Sequence, residues 1–256
     1  MTQSEIRHFW ELLWGMTEKE LRARYKNTVI GFMWIVANPL LQMLIIGFIF
    51  PLFIQQSIKN YNYYLFCGLL VWNFFSMSLS KATTSIVFER NLIKKAVFPH
   101  EVIPLSIIFS HGIHFLVAMV IFIILLLFSG TLTPFSFIYG LFGLVSLLMF
   151  LIGLSLLTSS LNVRYRDVNF FIQAVLIVWF YATPVVYSLT MIPERYHWIW
   201  RLNPLTAPLG WIQYALIGSL PPSIEIQAVN AAIIIVTAIA GVSTFHVMSS
   251  SFDDWL

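Results

Sequence analysis

Long apolar runs interrupted by short charged clusters set the pattern of this chain. No Lys, Arg, Asp or Glu occurs from Val102 to Val163, and none from Val168 to Pro193. An apolar run of about 20 residues, at ~1.5 Å rise each, crosses the hydrocarbon core of a bilayer as a helix. By that measure the sequence predicts spans over roughly 29–53, 61–80, 102–128, 135–161, 170–187 and 226–248. The long uncharged tract divides at "SGTLTPFS" (129–136), where Gly130 and Pro134 punctuate a turn. The stretch 202–224 also lacks charge, but Pro204, Pro208, Gly210, Gly218, Pro221 and Pro222 break it up. Its longest clean piece, 209–220, is only about 12 residues and suits a re-entrant or interfacial helix better than a span. The expected fold is an all-α integral membrane protein. It has six transmembrane helices, an N-terminal amphipathic interfacial helix, and a re-entrant helical element (202–224) before the last span.

The first 27 residues lack the apolar core of a cleavable signal peptide, so the first span is expected to direct insertion. Ile6, Phe9, Trp10, Leu13 and Trp14 recur at helical spacing, with Glu5, Arg7, His8 and Glu11 opposite. That is the pattern of a helix lying in the membrane interface. "TEKE" (17–20) reads as a capping box with Thr17 as N-cap, which predicts a second helix through "LRARYK" leading into the first span. Two apolar faces and a cap argue against an unstructured basic leader.

Composition agrees with the pattern: 59% of residues are hydrophobic and 10% charged, against about 25% charged in soluble domains. Cys67 is the only cysteine, which excludes an intrachain disulfide. With no repeat or polar linker, residues 1–256 read as one membrane domain. Charge distribution then gives orientation. With six spans, one side holds Arg7, Lys19, Arg22, Arg24, Lys26, Lys81, Arg90, Lys94, Lys95, Arg164 and Arg166, while the other holds only Lys59, Arg195 and Arg201. Basic residues stay on the cytosolic side, so both termini are expected in the cytosol.

Two absences narrow the chemistry. The chain contains no Gly-Lys pair, hence no phosphate-binding loop for ATP. No Asp, Glu, Lys or Arg lies inside a predicted span, leaving His111, His114 and His246 as the intramembrane titratable groups. Ion-coupled transporters place ionisable groups at mid-membrane. His111 and His114 share a helix face without a carboxylate in their own span, which favours neutral, hydrogen-bonded packing. Any energy for transport is therefore expected from another subunit, and no metal or cofactor from this chain.

Five motifs, in order along nearly the whole chain, carry a family resemblance. "RARYKNTVIGFMWIVANPL" (22–40), "ERNLIKKAVFPHEVIPL" (89–105), "NVRYRDV" (162–168), "TPVVY" (183–187) and "LNPLT" (202–206) resemble those of ABC-transporter permeases that export bacterial surface polysaccharides. The resemblance implies a homodimer of this chain in the bacterial inner membrane, paired with two copies of a separate ATPase that binds ATP and Mg. It implies a lipid-linked polysaccharide as substrate, such as O-antigen on undecaprenyl diphosphate, and no nucleic-acid partner. It also implies that 89–101 is a cytosolic coupling helix: Glu89, Arg90, Lys94 and Lys95 would make polar contacts, and Leu92 and Ile93 would fill a groove on the ATPase. A basic loop that only sets topology is the competing reading.

Three further groups keep two readings each. In the turn Arg164, Arg166 and Asp167, the acid is expected to pair with one arginine and leave the other for a phosphate or a partner; the alternative is a solvated topology signal. Arg22, Arg24, Tyr25 and Lys26 are candidates for a lipid-diphosphate headgroup or for ordinary anionic lipids. Trp34, Asn38 and Gln42 form a stripe about 12 Å long on the first span, and Asn169, Gln173 and Tyr181 repeat it on the fifth. Such amides face a translocation path or bond across helices. The many aromatics of the outer segments fit an interfacial belt or sugar stacking. An exporter of another small amphiphile and an integral-membrane transferase acting on lipid-linked sugars are the rival functions. The latter would need a tight Asp, Glu or His cluster, and Glu194, His197 and Glu225 are not tightly spaced.

Overall fold

The computed structural model describes residues 3–25, 33–53, 58, 60–130 and 137–255, and the described residues are helical with short connections. The elements are α1 (Gln3–Tyr25), α2 (Trp34–Phe53), α3 (Tyr61–Phe88), α4 (Arg90–Ile93), α5 (Val102–Phe128), α6 (Phe137–Arg164), α7 (Asp167–Ala182), α8 (His197–Leu202), α9 (Thr206–Ile217), α10 (Ile224–Ser249) and α11 (Phe252–Trp255). Two 3₁₀ turns, Leu189–Met191 and Glu194–Tyr196, lie between α7 and α8. Four helices, α3, α5, α6 and α10, are long and apolar enough to cross a membrane, while Val36–Leu52 and α7 are shorter apolar helices.

α3 is the pillar. In its most apolar window 72% of residues are buried, against 17% for α10, so one helix is enclosed and the other borders the bundle. Around α3 pack α2, α5, α6, α7 and α9, and α6 in turn carries α9 and α10. α6 and α10 meet at glycines. A methyl group on Gly241 would land on the carbonyl oxygen of Gly153, and one on Gly153 would stand 2.5 Å from Ala238 Cα. At Gly143 an added methyl would lie 2.7 Å from the Pro208 carbonyl oxygen, so α9 docks on backbone there too.

Several boundaries differ from those the sequence suggests. α7 stops at Ala182 because Thr183 precedes Pro184 and takes an extended conformation (φ −101°, ψ 138°). α3 runs about two turns beyond Ser80, where Ala82, Thr83, Ser85 and Ile86 are buried and Lys81 pairs with Glu20 of α1. The predicted break at Thr17 is absent. α1 is one helix, and the Thr17 hydroxyl donates to the Leu13 carbonyl (2.7 Å) while buried, so it bonds within the helix rather than capping it. The 202–224 stretch does break as expected: α9 is a 12-residue helix ended by Gly218 at φ 70°, the left-handed geometry that suits glycine.

Between α7 and α9 the backbone is irregular and depends on side chains. Asn203 makes four bonds: its Oδ1 accepts from Trp179 Nε1 (2.8 Å) and Leu205 N (3.1 Å), and its Nδ2 donates to the Ala182 carbonyl and Thr183 Oγ1 (both 3.0 Å). Asn230 of α10, fully buried, accepts from Ala207 N (2.8 Å) and donates to the Arg201 carbonyl (2.7 Å). Tyr61 donates to the Val186 carbonyl (2.9 Å), and Tyr64 shares its proton between the Pro184 and Tyr187 carbonyls (both 3.0 Å).

The glycine crossing predicts a sharp stability effect. Gly241→Ala overpacks a backbone contact and is expected to cost about 1–3 kcal/mol or more, read as a lowered midpoint of thermal unfolding in detergent. Gly15→Ala in α1, where nothing lies within 4 Å, is expected to leave the midpoint unchanged or slightly raised. Equal midpoints for Gly241→Ala and the wild type would refute the crossing.

Candidate functional site

The predicted functional residues fall into two regions: the end of the bundle where α11 and the second half of α1 lie, and two partly exposed stripes on α2 and α7.

At this end, α1 lies on α5. Leu13 and Thr17 turn inward, while Ile6, Trp10 and Trp14 stay exposed, as suits a helix with one face on protein and another toward lipid. Polar ties fix it in place. Lys19 pairs with Glu89 (2.7 Å) and Glu20 with Lys81. Arg24 reaches α5, where one guanidinium nitrogen meets His114 Nδ1 (2.9 Å) and the other meets His111 Nε2. A guanidinium only donates, so both facing imidazole nitrogens are acceptors. The His111 proton therefore sits on Nδ1 and points at Ser78 Oγ, 3.1 Å away on α3. The two histidines are accordingly neutral and hydrogen-bonded, although their partner is an arginine from α1, which sequence inspection of α5 alone did not suggest. Arg22 forms an exposed i, i+4 pair with Glu18 (2.5 Å). Of the other basic-headgroup candidates, Lys26 and the side chain of Tyr25 lie outside the described residues.

The segment 89–101 is not one helix. Only Arg90–Ile93 is helical, and turns follow. Ile93 does not face a partner: at 4% exposure it packs with Ile86, Ile103, Leu156, Val163, Phe245 and Phe252. Leu92 is half-buried, and Glu89 is engaged by Lys19. Arg90, Lys94 and Lys95 are exposed, and so are two apolar side chains the sequence reading did not single out, Phe88 and Val97.

The 164–167 turn also departs from expectation. Among the described residues Asp167 forms no ion pair, and it occupies the first turn of α7, where a carboxylate complements the helix dipole. Arg164 lies over the Tyr165 and Trp255 rings, 5.2 and 5.4 Å from their centroids. Arg166 is exposed. The buried Asn162 holds the turn by accepting from Asn169 N (3.2 Å). Asn162 and Trp255 were missed in the sequence; a lone amide next to a charged turn was the available signal for the first.

The stripes are present. On α2, Trp34 and Asn38 are exposed, and Gln42 donates to Asn38 Oδ1 (3.3 Å) while accepting from Asn73 Nδ2 of α3 (3.2 Å). On α7, Gln173 donates to Asn169 Oδ1 (3.0 Å); Gln173 and Tyr181 are exposed. Gln42 thus bonds across helices, whereas Gln173, among the described residues, bonds only within its own helix. No cluster of three or more His, Cys, Asp or Glu suited to a metal occurs among the described residues.

Long apolar helices around a buried pillar, with a basic, multiply tied terminal end, define a polytopic helical membrane protein. Residues 11–217 match the ABC-2 type transporter family, and the chain belongs to that family. It is similar to two sequences described as O-antigen export system permease protein RfbA from Klebsiella pneumoniae. One is 34% identical over 97% of this chain and 96% of the relative, the other 36% identical over 83% of each. It is also similar to a protein of the same description from Myxococcus xanthus, at 29% identity over 97% of this chain and 96% of the relative.

The Arg24 contacts predict an asymmetry between neighbouring arginines. Arg24→Gln removes a charged, two-pronged donor from two imidazoles and is expected to cost about 2 kcal/mol. Arg22→Ala removes an exposed pair and is expected to cost no more than about 0.5 kcal/mol. Chemical unfolding in detergent measures both, and comparable losses would contradict the assigned geometry.

Proposed function

We propose that this chain is the membrane-spanning subunit of an ATP-driven exporter of lipid-linked polysaccharide, with O-antigen on undecaprenyl diphosphate the favoured cargo. The observation that carries the reading is the 34% identity, over 97% of this chain, to a protein described as an O-antigen export permease. Residues 1–256 form a single permease domain that crosses the bacterial inner membrane six times, with α2 and α7 as the additional crossings. The 20 residues of α2 give about 30 Å, enough for the hydrocarbon core. The 16 of α7 give about 24 Å and place that helix in a locally thinned bilayer or at a water-lined face. α9 is the re-entrant element of the 202–224 segment, and both termini lie in the cytosol.

The working unit is a homodimer with two copies of an ATPase that binds ATP and Mg. The ATPase docks at 89–101 through Arg90, Leu92, Lys94, Lys95 and Val97, all of which stay at least partly accessible. Arg164 and Arg166 border this surface as a short cytosolic turn. Trp34, Asn38, Gln42, Asn169, Gln173 and Tyr181 line the path taken by the glycan. Arg22, Arg24, Tyr25 and Lys26 belong to the entry side, where Arg24 positions α1 and Arg22 and Lys26 supply charge for the lipid diphosphate.

Two experiments test these assignments. Val97→Asp with Lys94→Glu changes side chains that are exposed in this fold, so the permease should keep its thermal midpoint. It should lose most of its co-purification with the ATPase and most surface polysaccharide. Undiminished co-purification would move the dock elsewhere. Gln173→Leu removes an amide without an interhelical bond among the described residues, so stability and ATPase activity should hold while surface polysaccharide falls severalfold. Normal export by a stable Gln173→Leu protein would remove α7 from the path.

A further inference from the structure

At the end of the bundle opposite α11, a crevice of about 230 Å³ opens between α9, the segment after α7 and the loop before α10. It holds two of the three buried side-chain polar atoms that lack a hydrogen-bond partner among the described residues, Thr206 Oγ1 and Ser219 Oγ. Thr206 is 1% exposed, so water outside the crevice does not reach its hydroxyl. A buried hydroxyl is ordinarily bonded, and one left open on a cavity marks a place where a partner belongs. The remaining walls add polar groups from Ser188, Thr190 and Gln213 and apolar surface from Leu220, Pro221 and Pro222. Among the described residues no Asp, Glu, Lys or Arg lines the crevice. Its one imidazole, His197, donates Nε2–H to the Ile192 carbonyl (3.0 Å).

This chemistry selects an uncharged ligand with hydroxyls on its edges and C–H groups on its faces. Buried charges require charged partners, and none are offered here. Hydroxyl and amide groups together with proline and leucine surface in one crevice suit a pyranose ring. The volume equals about eight waters at ~30 Å³ each, which is the scale of one sugar ring. We propose that the crevice is a subsite for a single neutral sugar residue, held through Thr206, Ser219 and Gln213. It is separate from the α2 and α7 stripes. The inference rests on the export reading for its occupant, a residue of the transported glycan, but binding itself can be measured without transport.

The test uses the full-length chain in lipid nanodiscs. The probes are methyl α-glucopyranoside, methyl α-galactopyranoside and methyl α-mannopyranoside, with glucuronate as the charged control. Saturation-transfer NMR and ligand-induced thermal shift are the readouts. At least one neutral glycoside is expected to bind, and glucuronate is expected to bind at least tenfold more weakly. Thr206→Val with Ser219→Ala keeps the shapes but removes the unpartnered hydroxyls. It should weaken glycoside binding at least tenfold while leaving the ligand-free midpoint unchanged or raised. Ser219→Phe, at a half-exposed loop position, should abolish binding by filling the crevice and serves as the second variant if the first misfolds. Three results would overturn the subsite: no binding of any neutral glycoside, undiminished binding by the variants, or a ligand-free midpoint lowered by the Val/Ala pair, which would mark the hydroxyls as anchors for ordered water. Deleting the gene and scoring surface polysaccharide separates the two readings: unchanged polysaccharide in the deletion strain sinks the export proposal, whatever the crevice binds.

Discussion

Apolar helices in a bilayer gain nothing by hiding from lipid, so something other than the hydrophobic effect must hold them to one another. Here it is close backbone approach. Gly153 of α6 and Gly241 of α10 leave no room for a methyl group between them, and Gly143 of α6 plays the same part toward α9. Dispersion between backbones at such distances is short-ranged and needs both partners small. That explains how α10, mostly open to its surroundings, is nonetheless fixed along α6. α6 in turn rests on α3, so the enclosed pillar and the peripheral helix are joined through a helix with glycines on its contact faces.

The second constraint is that backbone polar groups at membrane depth must be satisfied within the protein. Between Thr183 and Leu205 the chain is helical only in two 3₁₀ turns and the six-residue α8, and the missing helical bonds are met by a few side chains placed there. Asn203 is used to its full bonding capacity, Asn230 reaches from α10 to both α8 and α9, and two tyrosines at the start of α3 serve the 184–187 carbonyls. So the polar residues scattered through apolar tracts at this end are structural almost without exception. Thr206 and Ser219 stand out because they escape that economy: both hydroxyl oxygens are buried beside a cavity, and neither has a partner among the described residues.

How much of this the sequence disclosed depends on whether the signal was local. Hydrophobic length is local, and 102–128 appears as a helix with the same limits in sequence and structure. The turn at 164–167, the breaks in 202–224 and the amphipathic start were legible for the same reason. The errors came where a tertiary partner outweighed a local motif. Thr17 has the spacing of a cap, but packing of α1 along α5 keeps the helix continuous. Ile93 sits in a basic, loop-like segment, yet a small apolar cluster with α5, α6, α10 and α11 draws it inward. Asp167 has two arginines within reach in sequence, but Arg164 is drawn to the ring of Trp255, 91 positions further along the chain. The Arg24–histidine contact joins residues 87 and 90 positions apart and has no local signature.

The terminal end therefore behaves as a mechanical unit, and magnitudes decide which of its links matter. The pairs Lys19–Glu89 and Glu20–Lys81 connect α1 to the end of α3, but both are partly exposed, and such pairs contribute up to about 1 kcal/mol each. Burial of Ile93 is the stronger link, at about 1.5–3 kcal/mol for a fully buried aliphatic side chain. Its cluster includes Ile103 of α5, Leu156 of α6 and Phe245 of α10, while Met16 of α1 packs against the rim. Ile93 thus anchors the exposed residues 94–97 in a cluster shared with α3, α5, α6, α10 and α11, and the ion pairs add a weaker tie to α1. An ATPase docking there, as proposed, would not need to grip a long coupling helix. One buried isoleucine beneath an exposed, basic turn already ties that surface to the core of the bundle.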